Sequence, residues 1–377
     1  MAAARQAFAA LVAASLLAAC QPAASQDPTF GAPLPGSPTS SPPAGSPGPD
    51  PTGGPAASPI DSVPTTATWA RLEVDGTGPA AREDHTWTVA EDGRTAYLFG
   101  GRDGGAAFDD LWSFDLVSER WHRERIDGKA PPARFGHDAA WLPGHGLVIW
   151  AGQVGADFFD DTWLLDPAGP SWTELKIEGD KPVARYGSCS GVGPDGRLWI
   201  SHGFTANGVR FDDTWTFDIE ERRWTERTPA SKDSGPIKRC LHACWWTSEG
   251  QLALYGGQTN GVPALGDLWF LTPGVDGEQG IWAEAPGQEA PARQLAAVAR
   301  RGDLAVIFGG RGADGEVLAD AWVVADGTTA LAPLAVDDAP RARSGAAMVY
   351  DAAGDRLVLF GGEGDDAFDD VWELTFP

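Results

Sequence analysis

One motif recurs six times along the chain, from residue 97 to its end at residue 377. Each copy contains an apolar run that ends in a glycine pair or a close variant, then a short loop, an acidic residue and a tryptophan. The first copy is YLFGGRDGGAAFDDLW, from Tyr97. The tryptophans of the motif are 50 to 54 residues apart: Trp112, Trp163, Trp215, Trp269, Trp322 and Trp372. Such a period predicts an array of similar units, here numbered one to six, that stack to bury a continuous core.

The apolar runs predict β-strands. RLWIS (197–201), LAVIF (304–308) and RLVLF (356–360) are short, rich in β-branched and aromatic residues, and bounded by turn residues. No segment shows an apolar stripe with helical period and capping residues. Four strands in each of six units predict an all-β fold, a six-bladed β-propeller of radially packed sheets.

The repeats resemble those of the kelch family. The resemblance rests on the glycine pair, the DDLW element (109–112), a second tryptophan later in the unit and an arginine that opens the next one, and it covers about residues 68 to 377. It implies a kelch-type propeller. Since kelch propellers serve both as binding platforms and as scaffolds of enzymes, the resemblance alone does not predict the function.

The two ends of the chain predict how the ring closes. Unit six stops at Pro377, before it reaches the tryptophan of an outer strand. The segment TWARLEVDG supplies one, because Trp69 precedes Arg82 by 13 residues, as Trp121 precedes Arg134. We therefore expect this N-terminal strand to complete unit six and to remove two open sheet edges. Unit five has TTALAPL around Leu331 in place of an outer tryptophan, and its rim should be the least stable.

The segment before the repeats predicts export. Residues 1–19 read as a signal peptide, with Arg5 followed by an apolar run too short to span a bilayer. The ending LAAC resembles a lipobox, which implies a lipid on Cys20; an ordinary signal peptide cut near Ala19 is the alternative. Residues 20–66 are rich in Pro, Ser and Gly and predict a disordered tether before the propeller of residues 67–377. The expected location is the bacterial envelope, with the protein as an outer-membrane lipoprotein because Gln21 is not acidic.

Two charged residues recur in every unit. The second acid before the tryptophan is Asp110, Asp161, Asp213, Asp267, Asp320 or Asp370, and it is expected to fix the preceding loop. An arginine recurs on the loop that enters each first strand: Arg82, Arg134, Arg185, Arg239, Arg293 and Arg343. Six guanidinium groups could receive an anion, but recurrence in every unit favours a structural role, with each arginine paired to an acid.

The tryptophans are predicted to be core residues. Eleven of the 17 occupy two repeat positions, and burial of each removes roughly 150–250 Å² from water. The second position holds Trp69, Trp121, Trp172, Trp224 and Trp282.

No motif predicts a cofactor or a metal. The sequence lacks a P-loop, a His-Glu-x-x-His helix, an EF-hand loop and a Cys-x-x-Cys pair. GSCSG from Gly187 resembles a nucleophile elbow with Cys189, but it begins a strand instead of joining a strand to a helix. His85, His137 and His242 share one repeat position, where hydrogen bonding inside the fold is favoured over metal ligation.

Three cysteines follow Cys20. Cys240 and Cys244 are about 13 Å apart on an extended strand, which is too far for a disulfide. A bridge between Cys189 and Cys244 is possible in an oxidising compartment, but unbridged thiols are favoured. One thiol is left over in either case.

The charge limits the partners. With 53 acids against 28 bases, the chain carries a formal charge of −25 and should repel nucleic acids and anionic lipid surfaces. We expect a monomeric propeller that binds an envelope protein or a glycan. A sugar-directed enzyme, similar to the six-bladed kelch mutarotase that acts on sialic acid, is the alternative, and a structural spacer is the third hypothesis.

Specificity should come from loop residues that break the repeat. These candidates for the ligand-binding face are Arg102, Gln153, Phe204, Asn207, Arg210, Gln258, Asn260, Arg311 and Glu363. Phe204 and Phe158 are expected to form an exposed aromatic rim.

Overall fold

The computed structural model describes residues 63–74, 76–229, 235–274 and 279–377. Within these ranges the only helical turn is Ala206–Gly208, and all other regular structure is β. No helix in this part of the chain is long and apolar enough to cross a membrane. The predicted signal peptide, Cys20 and the predicted tether up to residue 62 lie outside the described residues.

Each unit is a sheet of four antiparallel strands. They are numbered one to four in sheet order, starting from the strand that follows the repeat arginine. In unit one they are Thr86–Val89, Thr95–Phe99, Leu111–Asp115 and Arg120–Arg123. In unit two they are Asp138–Leu142, Gly146–Trp150, Thr162–Asp166 and Ser171–Glu174. In unit three they are Cys189–Val192, Leu198–Ser201, Thr214–Asp218 and Arg223–Glu226.

The other three units follow the same plan. In unit four the strands are Ala243–Trp246, Leu252–Tyr255, Leu268–Thr272 and Ile281–Ala285. In unit five they are Ala297–Arg301, Leu304–Phe308, Ala321–Ala325 and Ala332–Asp337. In unit six they are Ala347–Asp351, Arg356–Phe360 and Val371–Thr375, with Thr66–Leu72 as the fourth. Short two-stranded ribbons follow the glycine pair or its variant: Arg102–Asp103 with Ala106–Ala107, Gln153–Val154 with Asp157–Phe158, and Arg311–Gly312 with Arg293–Gln294.

The first strands of neighbouring units pack side by side in chain order, and the first strand of unit six returns to that of unit one. They form a closed ring around a central channel. The second strands are the most buried elements, as in Gly146–Trp150, because they lie between the neighbouring strands of their own sheet and against the adjacent units. The predicted all-β propeller fold is confirmed.

The N-terminal strand closes the ring as predicted. Five residues of Thr66–Leu72 pair antiparallel with Val371–Thr375, and Trp69 lies opposite Leu374 with 1% of its surface exposed. The same strand also pairs in parallel with residues 335–337 of unit five, so that units five and six share one eight-stranded sheet. The sequence did not predict this second pairing.

The fourth-strand tryptophans pack between units. Trp69 lies 4.9 Å from Phe308 of the preceding unit, measured between ring centroids, and Trp224 lies 5.1 Å from Trp150 in the same way. Trp121 and Trp172 make corresponding contacts with the preceding units. None of the 11 repeat tryptophans is exposed, although Trp121, Trp215, Trp269, Trp322 and Trp372 are only partly buried. The prediction of core residues is therefore confirmed most clearly for the other six tryptophans.

One disulfide joins two units. Cys189 and Cys244, on the first strands of units three and four, form a disulfide with their Cα atoms 6.0 Å apart. The expectation of unbridged thiols was therefore wrong. The two cysteines stand four and five residues after their repeat arginines, on first strands that pack side by side. Cys189 is consequently not available as a nucleophile, and Cys240 lies buried outside the disulfide.

Candidate functional site

The repeat arginines hold the loops at one end of the channel. In unit one, Arg82 donates two hydrogen bonds to Asp110, at 2.7 and 3.0 Å, one to the carbonyl of Gly100 and one to that of Ala80. Trp112 Nε1 donates to the same carboxylate at 2.7 Å. Arginine, acid and tryptophan thus tie the loop before the first strand to the loop between the second and third strands.

The same contacts recur in all six units. Every repeat arginine is 0 or 1% exposed and pairs with the second acid of its own unit, with N–O distances of 2.5–3.1 Å. Burial opposes ionisation of Asp110, but the hydrogen bonds and charge of Arg82 hold its pKa below the usual value. Because these guanidinium groups are buried and paired, they do not present a ring of charge to an anion.

The residue two positions after each arginine belongs to a closed cycle of peptide groups around the axis. These residues are Asp84, Gly136, Gly187, Leu241, Leu295 and Gly345. Each donates its N–H to the carbonyl of the preceding member, over 2.8–3.1 Å, and unit one accepts from unit two while it donates to unit six. All six have positive φ, between 55 and 66°, including the non-glycine residues Asp84, Leu241 and Leu295. The cycle holds equivalent residues of the six units at the same level along the channel axis.

A cavity of about 150 Å³ lies on the axis beside this cycle and is lined in part by His85, His137 and His242. Burial, together with the charge of Arg82, lowers the pKa of His85 to about 3, and the pKa values of His137 and His242 are also well below the ordinary value. These rings are neutral at pH 7. His137 Nε2 lies 2.8 Å from Thr86 Oγ1. No three metal-ligating side chains converge anywhere in the described part of the chain.

Six of the predicted face residues share one position, two residues after the start of the loop that follows the second strand. They are Arg102, Gln153, Phe204, Gln258, Arg311 and Glu363. In each case the backbone pairs with the loop that enters the first strand of the same unit: Glu83 with Arg102, Phe135 with Gln153, Tyr186 with Phe204, Cys240 with Gln258, Gln294 with Arg311 and Ser344 with Glu363. The structure therefore brings these positions together at the channel mouth.

Arg102 is buried in a cluster of charges instead of facing solvent. Its Nη2 lies 2.8 Å from Glu83 Oε1 and 2.9 Å from Asp84 Oδ2, and Tyr186 OH donates to the same Asp84 oxygen at 2.9 Å. Burial, followed by repulsion from Asp84, raises the pKa of Glu83 well above its ordinary value, and Glu363 adds to this shift. Two neighbouring acidic side chains thus occupy Arg102, and its role as a specificity residue of the ligand-binding face stays a prediction.

The expectation that Phe204 and Phe158 form an exposed aromatic rim was wrong. Phe204 is 6% exposed and packs with Phe135, Tyr186 and Cys240, while Phe158 is partly buried against the same cluster. The backbone of Phe204 also pairs on both sides, with Tyr186 and with Arg210.

The remaining predicted face residues differ in exposure. Gln153 and Arg210 are buried, Gln258, Arg311 and Glu363 are partly buried, and Asn207 and Asn260 are exposed. Arg210 Nη1 donates to Asn260 Oδ1, which ties the loops of units three and four together.

Four exposed aliphatic side chains on the loops at the same end were not predicted. Val183, Val209, Ile237 and Val262 are 55, 51, 54 and 40% exposed. We call these four residues the loop patch. Val183 and Ile237 stand two residues before the repeat arginines of units three and four, where the other units have Ala80, Pro132, Pro291 and Arg341. This departure from the repeat could have identified Val183 and Ile237 from the sequence.

Asp138 gives the propeller a predictable pH dependence. It is buried on the first strand of unit two and accepts a hydrogen bond from Ser188 Oγ. Burial raises its pKa from 3.8 to about 6, although Ser188, Ser190 and Arg185 oppose the shift. Because the folded state holds this proton more tightly than the unfolded state, the contribution to stability is full below pH 4 and is lost as the pH rises through 6.

We therefore expect Asp138→Asn to raise the free energy of unfolding by about 2–3 kcal/mol at pH 8 and to leave it unchanged at pH 4. Urea denaturation at the two pH values measures the difference. Asp157→Asn, at an exposed position, is the control and should have no effect at either pH. An equal gain at pH 4 and pH 8 for Asp138→Asn would contradict the assignment.

Comparisons with known proteins agree with this architecture. The KLHDC2/KLHL20/DRC7 Kelch-repeats domain model matches residues 62–257. Adagio-like protein 3 of Oryza sativa subsp. japonica is 30% identical over 51% of this chain and 30% of its own length. Serine/threonine-protein phosphatase BSL2 of Arabidopsis thaliana is 28% identical over 68% of this chain and 27% of its own. F-box/kelch-repeat protein At1g51550, also of A. thaliana, is 29% identical over 52% of this chain and 42% of its own.

The chain thus spans less than half the length of these three relatives. Among solved structures, that of YjhT superposes with a TM-score of 0.61 and 15% identity, over 78% of this chain and 94% of the other. At this identity the likeness concerns the fold alone.

Proposed function

This chain belongs to the kelch-repeat family, and from that premise we propose that it is a protein-interaction module whose partner docks at the channel mouth through the loop patch. The observation that carries the proposal is the placement of exposed aliphatic side chains. Of the six large hydrophobic residues that are exposed in the described chain, four form the loop patch. Exposed apolar side chains grouped on one face of a rigid scaffold are typical of protein-binding surfaces.

The two other exposed aliphatic residues provide a matched control. Val117, in the turn after the third strand of unit one, is 61% exposed, and Ile281, at the start of the fourth strand of unit four, is 72% exposed. Strands alternate in direction within each sheet, so these turns lie at the end opposite the loop patch.

The test compares three forms of the full chain: native, Val209→Asp/Val262→Asp and Val117→Asp/Ile281→Asp. Immobilised native protein first captures partners from an envelope extract, and each purified partner is then titrated against all three forms by calorimetry. We expect the loop-patch variant to bind at least ten times more weakly than the native form, while the control variant binds equally well. Equal binding by all three forms, or capture of no stoichiometric partner, would contradict the proposal; glycans would then be the next ligands to examine.

We also propose that the propeller is displayed in the cell envelope, anchored through a lipid on Cys20 and a tether of residues 20–66. The disulfide between Cys189 and Cys244 supports this location, because disulfides persist in oxidising compartments outside the cytosol. Metabolic labelling with a fatty-acid analogue tests the anchor, since label should enter the native chain and not Cys20→Ala.

A second candidate function, a sugar-directed enzyme, is favoured by one observation. Burial raises the pKa of Glu83 well above its ordinary value, and its carboxyl group lies beside Asp84 and the guanidinium of Arg102. A carboxyl group with a raised pKa, next to a guanidinium, suits the role of a general acid. Anomer exchange of reducing sugars, followed by proton NMR, separates this activity from binding alone.

A further inference from the structure

An apolar groove of about 490 Å³ lies on the outer rim of unit five, away from the channel mouth. It is lined by Trp322 and Asp320 at the start of the third strand, by Pro333, Leu334 and Val336 of the fourth strand, and by Thr65 just before the N-terminal strand. Asp320 and Trp322 belong to the repeat motif, so the five other units show what faces these two positions elsewhere in the ring.

Pro333 is the cause of the groove. In each unit the motif tryptophan faces one residue of the fourth strand, and five of these partners are long and charged: Arg123, Glu174, Glu226, Glu284 and Arg71. In unit five the partner of Trp322 is Pro333, whose side chain is a short ring without a charged end. The side chain of Asp320 is correspondingly 39% exposed, against 13–24% for the equivalent acids of the other units.

Two other units place a cation over the corresponding indole. The guanidinium carbon of Arg123 lies 5.9 Å from the ring centroid of Trp112, and Lys129 Nζ lies 5.1 Å from that of Trp163. A cation at this distance from an indole is attracted to its face. In units one and six, the arginine that faces the tryptophan also interacts electrostatically with the repeat acid, as Arg123 does with Asp110.

We propose that the groove of unit five binds an arginine side chain of a partner protein, with its guanidinium stacked on Trp322 and directed towards Asp320. The occupant is of the kind that the chain itself supplies in unit one. A planar guanidinium suits this place because it stacks on the indole while its charge interacts with Asp320, whose carboxylate already accepts from Arg293 and Trp322. The formal charge of −25 favours the approach of a basic segment. This surface is independent of the loop patch.

The test follows the indole N–H signals of the full chain by NMR, with the Trp322 signal assigned by its loss in Trp322→Phe. The probe is N-acetylarginine amide, and its matched probe is the citrulline analogue, which has the same shape without the charge. We expect a saturable shift of the Trp322 signal with the arginine probe, at least tenfold weaker binding of the citrulline probe, and intermediate binding of the lysine analogue.

Two variants exchange the properties of units five and one. Pro333→Arg reproduces the covering residue of unit one and should abolish binding while the other indole signals stay in place. Arg123→Ala uncovers Trp112 and should add a second site, seen as a saturable shift of the Trp112 signal. Equal binding of the citrulline probe, undiminished binding to Pro333→Arg, or no saturable shift of Trp322 in the native chain would overturn the proposal.

Discussion

Replacement of Trp69 by alanine is expected to lower the free energy of unfolding by about 3–5 kcal/mol, and deletion of residues 63–72 should leave no cooperative unfolding transition. Trp69 is 1% exposed and packs against Phe308 of unit five, so its loss opens a large cavity between two units. The deletion removes in addition five antiparallel and three parallel residue pairs and opens sheet edges in units five and six. A loss of this size is a large part of the roughly 5–15 kcal/mol by which domains are stable.

Urea denaturation followed by far-UV circular dichroism measures both effects. Thr68→Ala, at the exposed position next to Trp69, is the matched control and should change stability by less than about 0.5 kcal/mol. If Trp69→Ala has the same urea midpoint as the native chain, the N-terminal strand does not complete the ring.

Replacement of Asp110 by asparagine should cost about 3–5 kcal/mol, because it leaves the guanidinium of Arg82 buried without its counter-charge. Arg82 is 0% exposed, and the Asp110 side chain is 13% exposed. Asp109→Asn is the control: it removes the neighbouring acid, which is exposed, and should change stability by less than about 0.5 kcal/mol. Urea midpoints of the two variants at pH 7 give the comparison.

The effect of Asp110→Asn should depend on pH in one direction. The folded-state pKa of Asp110 is lowered, so its contribution is present above pH 4 and is lost as the pH falls through that lowered value. The difference between the native chain and Asp110→Asn should therefore shrink on acidification. A difference that is small at pH 7, or that grows at lower pH, would contradict the role given to this pair.

Residues that recur in every unit were the ones that the sequence could place. Arg82 and Asp110 have counterparts in all units, and recurrence predicted that each arginine pairs with an acid, because a contact needed by each sheet must be encoded in each repeat. Recurrence did not specify whether that acid lies in the same unit or in the next one. The closing role of Trp69 followed from the same register. Periodicity thus predicted the scaffold, including how it closes.

Residues that break the repeat were harder to place, since periodicity does not say which way they face. Phe204 stands at a loop position, yet its backbone is paired on both sides and its ring is buried. Leu241 and Leu295 adopt positive φ to complete the peptide cycle, a conformation that leucine does not suggest. The disulfide between Cys189 and Cys244 depends on how closely the first strands of units three and four approach each other, which the repeat period does not specify. Each of these outcomes was decided by contacts between distant parts of the chain.

The N-terminal strand also determines how the propeller bears mechanical load. A pull applied to the chain ahead of Thr66 acts along the strand axis, parallel to both neighbouring strands. All eight residue pairs that hold the strand, five with unit six and three with unit five, are then strained together in shear. A hairpin pulled from its open end would instead lose its hydrogen bonds one at a time. Such a load is therefore shared between two units, and the strand that closes the ring also holds the ring together under tension.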